Sequence, residues 1–177
     1  MEQFWLSSLE YLKALLKFNL TSIIDVLIVA FVIYRPGALI VLERDTGLEE
    51  HVDTGVKIDG IVSAEFLVNL FIPKTPLHDG AVIIRGGRVV AAACFLPLSE
   101  NPNLTSELGT RHRAGIGITE ISDAVAVIVS EETGIVSVAV EGAITRDLDE
   151  AGLQDRLTGL LSNRTANTIS SLWFRRE

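Results

Sequence analysis

Five short apolar runs constrain this chain more than anything else in it. Gly37–Glu43 (GALIVLE), Ala81–Ile84, Val89–Leu96, Ala124–Val129 and Val136–Val140 are rich in valine, isoleucine and alanine. Runs of this length suit buried strands and are too short for core helices. Segments with helical spacing lie between them. Ser63–Phe71 (SAEFLVNLF) carries Phe66, Leu67 and Leu70 on one face, with Ser63 as N-cap. Arg111–Ile121 predicts a second helix capped by Thr110, and Asp147–Leu161 a last one. Gly86-Gly87 is a hairpin signal, and Glu131-Glu132-Thr133-Gly134 separates another pair of strands. Strands and helices mixed in this way predict an α/β (α+β) domain, with a mixed central β-sheet flanked by helices. The sequence has no internal repeats.

Residues 1–35 read differently. Phe4, Trp5, Leu9, Leu12, Leu15 and Leu16 recur at helical spacing, and Leu20–Tyr34 is almost continuously apolar until Arg35-Pro36-Gly37 ends it. A bilayer-spanning helix needs about 20 apolar residues. This run is shorter and contains Asp25, which is costly in the bilayer core. The expectation is a hydrophobic membrane-associated segment over 1–35, with a soluble helical hairpin as the alternative, followed by a catalytic domain over 36–177.

Charge and cysteine usage remove several classes of function. A net charge of −8 and an isoelectric point near 4.9 argue against binding a nucleic-acid backbone, which needs a basic face. A few well-placed arginines can still hold a triphosphate. The single cysteine, Cys94, permits neither an internal disulfide nor a cysteine zinc cluster. Its apolar surroundings read as core.

Three clusters carry the chemistry. Asp79-Gly80 immediately precedes a strand. The glycine lets a ligand approach the backbone, and the carboxylate can hold Mg²⁺ or Mn²⁺ beside a phosphate; an ordinary turn is the plainer reading. Thr110-Arg111-His112-Arg113 opens a helix, where unpaired N–H groups and a partial positive charge favour anions. Arginines there oppose the helix dipole, so they point to phosphate rather than to helix stability; two solvated arginines and a satisfied histidine are the plainer reading. Ser130-Glu131-Glu132-Thr133 closes a strand, suited to metal or nucleoside contacts or simply to a solvated turn. His51 has no assigned role. A His-Asp phosphohydrolase would need more histidines than His51, His78 and His112.

With these motifs in order, Gly37–Thr145 resembles the catalytic domain of bacterial diadenylate cyclases. The strings Thr75-Pro76-Leu77-His78-Asp79-Gly80-Ala81, Leu96-Pro97-Leu98-Ser99, Glu107-Leu108-Gly109-Thr110-Arg111-His112-Arg113-Ala114 and Val129-Ser130-Glu131-Glu132-Thr133-Gly134 are similar to the membrane-anchored subtype. The resemblance implies condensation of two ATP molecules into cyclic di-AMP across a homodimer, with loss of two pyrophosphates. It implies Asp79, Arg111, His112 and Arg113 as catalytic residues. Gly80, Ala81, Phe95, Leu96, Thr110, Ser130 and Glu132 would contact the nucleotide, and Asp79, His78 and Glu132 would hold Mg²⁺ or Mn²⁺. A membrane regulator and a sugar-phosphate mutase are the implied partners, with no nucleic acid. The implied location is the cell membrane, with the catalytic domain in the cytoplasm.

The front of the chain departs from that subtype. Three transmembrane helices and a linker helix usually precede its catalytic domain. Here one hydrophobic segment runs almost directly into Gly37, so most of the transmembrane region is expected to be missing. The alternative function is a catalytically idle adenine-nucleotide-binding module.

Overall fold

The structure is a computed structural model that describes residues 37–105 and 107–173, with side chains described as far as 161. The expectations for residues 1–35 lie outside the described residues. The elements run β1 (Ala38–Leu42), α1 (Glu49–Val52), β2 (Val56–Ile61), α2 (Ala64–Leu70), β3 (Ala81–Arg85), β4 (Arg88–Cys94), α3 (Thr110–Ile121), β5 (Val125–Val129), β6 (Val136–Val140), β7 (Ala143–Thr145) and α4 (Glu150–Trp173).

The strands form one mixed sheet in the order β2-β4-β3-β1-β5-β6-β7. β1 pairs with β3 in parallel, with Ile40 opposite Val82, and with β5 antiparallel, with Ala38 opposite Val129. The remaining ladders are antiparallel. The central runs are continuously apolar because both faces of the sheet are covered. Leu39 and Val41 join Ile83, Ala126, Ile128, Ile116 and Ile118 in a core beneath α3. Ile40 and Leu42 point the other way, into a core with Val82, Val127, Leu67, Leu70, Leu153 and Leu157 from the strands, α2 and α4. The expected mixed sheet flanked by helices is the architecture observed.

Local signals set several boundaries. Ser63 Oγ accepts a hydrogen bond from Phe66 N–H at 3.2 Å, which caps α2 as expected. Gly86 and Gly87 both have positive φ, 56° and 80°, as a tight two-residue hairpin turn requires. Three features differ from the sequence reading. Gly109, not Thr110, occupies the N-cap of α3, and no side chain caps it. The final helix begins at Glu150 because Asp149 Oδ1 accepts from Gly152 N–H at 2.8 Å, which caps the first turn; the helix continues to Trp173. Strands β2 and β7 lie at the two edges of the sheet, largely exposed, and lack the apolar signature of the central strands.

Candidate active site

Sheet topology brings the segments that carry the family resemblance to one end of the central strands. β1 and β3 are parallel, so their first residues share an end of the sheet. β5 is antiparallel to β1, so its last residue, Val129, arrives at that end. β4 is antiparallel to β3 and pairs Cys94 with Ala81 there. Asp79-Gly80-Ala81, Cys94-Phe95-Leu96 and Ser130-Glu131-Glu132 are therefore neighbours, although they are far apart in sequence.

Helix α3 points its N-terminus at the same end. Arg111 Nη2 donates to the backbone oxygen of His78 at 3.1 Å. Its Nη1 pairs with the Glu131 carboxylate. Burial pulls the Arg111 guanidinium below its ordinary range, and the nearby Asp79 carboxylate opposes that pull. An arginine so far above neutrality stays charged. The Arg111 Nε is buried and has no hydrogen-bond partner among the described residues. The helix start thus combines a cation, free backbone N–H groups and the positive end of the helix dipole, which suits an anion.

The structure distributes the expected site residues unevenly. Asp79 is exposed at the strand entrance, while Arg111 and Arg113 are half-buried and Thr110 is exposed beside them. His112 is 6 % exposed and shares the α3 face of Gly115, which lies over Ile128 of β5. Burial, followed by the positive charge of Arg146, pushes its imidazole below the usual histidine value. His78 turns its ring back on its own loop. Nδ1 lies 2.6 Å from the Thr75 carbonyl oxygen, so it carries the proton, and Nε2 accepts from Lys74 N–H at 3.4 Å. Ser130 Oγ accepts from Thr133 N–H at 3.3 Å, and Glu132 is exposed. Phe95 is 69 % exposed, with its backbone N–H held by Thr54 Oγ1 at 2.9 Å, while Leu96 is half-buried. Two contributors escaped the sequence reading. Glu131, rather than its flagged neighbour Glu132, meets Arg111, and Thr54 fixes Phe95 from 41 residues away. Glu131 and Glu132 lie in the turn after β5, where no strand alternation separates them, and nothing local in the sequence marks Thr54.

Gly80 is required for a reason beyond room for a ligand. Its φ is +120°, and a Cβ there would lie 2.7 Å from the Ala93 carbonyl carbon and 2.9 Å from the Cys94 oxygen. Gly80→Ala should destabilise the fold by about 1–3 kcal/mol, read as a lower urea midpoint. Ala81 is fully buried beside it.

Cys94 is 1 % exposed, and burial pushes its thiol up to about 11. At pH 8 its reaction with a soluble disulfide reagent should be about a hundredfold slower than that of an unfolded control, and urea should abolish the difference.

The family model described as DAC, DisA bacterial checkpoint controller nucleotide-binding, matches residues 33–144. This chain belongs to the DAC family. The cyclic di-AMP synthase CdaA of Bacillus subtilis is 51% identical to it over 142 residues, which is 80% of this chain and 52% of that protein. A diadenylate cyclase of Listeria monocytogenes is 48% identical over 141 residues, or 78% of this chain and 52% of that one. The DAC chain therefore spans about half the length of these curated relatives. The solved structure of a double mutant of DacA from Staphylococcus aureus superposes with a TM-score of 0.76 at 44% identity, covering 82% of this chain and 96% of that one. A structure described as a hypothetical membrane spanning protein from Bacillus cereus gives 0.65 at 41% identity, covering 75% and 63%. The DAC fold seen here, a seven-stranded mixed sheet flanked by helices, is thus the fold of the expected family.

Proposed function

We propose that this chain is a diadenylate cyclase, converting two ATP into cyclic di-AMP and two pyrophosphates. The observation that carries the reading is the hydrogen bond from Arg111 to the His78 carbonyl, next to Asp79 in the chain, at the end of the sheet that also gathers 94–96 and 130–132. In this reading each ATP 3′-hydroxyl attacks the α-phosphorus of the opposite ATP. A P–O bond forms, the bond to pyrophosphate breaks, and the hydroxyl proton leaves through Asp79 or solvent. Thr110, Arg111 and Arg113 hold the phosphates and offset the charge that grows on them. Phe95 and Leu96 offer an apolar wall to the adenine, and Ser130 and Glu132 border the phosphates.

A divalent cation fits the donors at this edge. Asp79 and Glu132 are exposed carboxylates, the hard oxygen donors that Mg²⁺ and Mn²⁺ accept, and such ions are commonly held by one or two carboxylates together with substrate phosphates. No group of three or more His, Cys, Asp or Glu gathers for a metal among the described residues, which suits a cation completed by the triphosphate. His78 would join only by releasing the Lys74 N–H. When bound, the cation would neutralise triphosphate charge.

One chain offers one such edge, so the reaction calls for two copies facing each other. Attachment to the membrane is proposed through residues 1–35. Among the described residues no helix is long and apolar enough to cross a membrane. A membrane regulator and a sugar-phosphate mutase are proposed as partners on the family resemblance alone.

Mass spectrometry of the chain incubated with ATP and Mn²⁺ or Mg²⁺ tests the reading. Cyclic di-AMP with two equivalents of pyrophosphate is expected, at a rate per chain that rises with protein concentration. ATP binding without product at high protein concentration would instead identify an idle adenine-nucleotide-binding module.

A further inference from the structure

Two buried polar atoms beneath the first turn of α3 have no hydrogen-bond partner among the described residues: Nε2 of His112 and Oγ of Ser137. Their residues are 6 % and 0 % exposed. Buried polar groups are rarely left unbonded, because each loses its hydrogen bonds to water.

The sheet register brings the two together. Ser137 on β6 lies opposite Ile128 on β5. A Cβ at Gly115 would approach Cγ1 and Cδ1 of Ile128 to 2.9 Å, so α3 crosses directly over that residue. His112 precedes Gly115 by three residues and shares its helix face, one turn toward the N-terminus. Ser137 faces α3, because Val136, Val138 and Val140 belong to the opposite core and Ala139 to the core under α3. Arg146 ties the pair from the side. Thr145 pairs with Val138, and Leu148 N–H donates to the Val136 oxygen, so Arg146 comes level with Ser137. The charge of Arg146 also acts on His112, and Arg146 itself pairs with Glu107 at 3.5 Å.

We propose that His112 and Ser137 form a buried couple bridged by one water, which fixes the first turn of α3 and so aims Arg111 and Arg113 at the triphosphate. Ser137 is then a positioning residue for the phosphate site. The aiming role rests on the diadenylate cyclase reading; the couple itself does not. A neutral imidazole nitrogen and a serine hydroxyl can each bond a water, so one water between them satisfies both. The burial around His112 and its neighbour Arg146 favour the neutral ring. Helical spacing turns Arg111 and Arg113 to either side of His112, so anchoring that one ring fixes the direction of both. The turn is also held by Ser99 N–H, which donates to the Arg113 oxygen at 2.9 Å.

The test compares the full chain with Ser137→Ala and Ser137→Thr. The ring-nitrogen NMR signals of the three histidines are assigned with a His112→Gln variant. The His112 Nε2 signal should move in Ser137→Ala and return toward wild type in Ser137→Thr, which keeps the hydroxyl. KM for ATP should rise about tenfold in Ser137→Ala, the scale of one lost hydrogen bond, and recover in Ser137→Thr. Unchanged His112 signals in Ser137→Ala would overturn the couple. A lower melting temperature with unchanged KM would overturn the positioning role. A wild-type chain that makes no cyclic di-AMP would remove the diadenylate cyclase reading and the aiming role with it, while the His112 signals would still decide the couple.

Discussion

Asp79→Asn should lower cyclic di-AMP formation by about 10³-fold while leaving the fold intact, a loss within the range for removing a group that takes a proton in the transition state. The substitution keeps the size of the side chain and removes only its charge. Asp79 is exposed at the mouth of β3, so little packing changes, and the melting temperature should hold, as it does for most surface substitutions. An amide can neither accept the 3′-hydroxyl proton effectively nor hold a divalent cation as a carboxylate does. Product quantified by mass spectrometry across a metal titration separates the two deficits. If excess Mn²⁺ restores the rate, weakened metal binding was the main loss; if it does not, the proton step was. A variant that keeps wild-type turnover would remove Asp79 from the mechanism.

Arg111→Lys should be almost as damaging, with about a 10²-fold loss in kcat/KM. Both residues are cationic, so charge alone predicts a mild effect. Geometry predicts a severe one. The guanidinium spreads its donors so that Nη2 reaches the His78 oxygen while Nη1 meets Glu131. A lysine ammonium is a single point on a flexible stem and cannot hold both partners in a fixed plane. Steady-state kinetics should therefore show KM for ATP rising together with a fall in kcat. Arg113→Lys gives the comparison needed to separate this from a general loss of positive charge. Near-wild-type kinetics for Arg111→Lys would mean that the fork is structural and that phosphate is held elsewhere.

The central architecture was legible because burial writes itself into composition. β1, β3 and β5 are covered on both faces, so their runs are uninterrupted by polar residues until Arg85 closes β3. The cap at Ser63 and the turn at Gly86-Gly87 rest on local chemistry and were legible for that reason. β2 escaped because an edge strand is wetted: Lys57 and Asp59 interrupt its pattern, and the ladder with β4 is irregular between Lys57 and Gly60. β7 is three residues long, too short for any period to register. In the site, the presence of phosphate-binding chemistry at 110–113 could be read from residue types. The division of labour within it could not, because only the packed helix reveals that His112 faces inward between two half-exposed arginines. The pairing of Ser137 with that turn depends on three ladders and a helix crossing, which no local window contains.

The position of β1 has a consequence for how the protein is made. It is the first strand of the described fold, yet it is the middle of the sheet, and its antiparallel partner β5 lies about 90 residues downstream. During synthesis at about 5–20 residues per second, β1 would wait several seconds for that partner. Until then, the β3–β4 hairpin, the β2–β4 ladder and the parallel contact with β3 can form, but one edge of β1 stays open with Leu39 to Leu42 uncovered. A nascent chain stalled before Val125 should therefore recruit a ribosome-associated chaperone, and one released after Val140 should not. The strand that organises the nucleotide edge in the finished molecule is the one most exposed to misassembly on the way there.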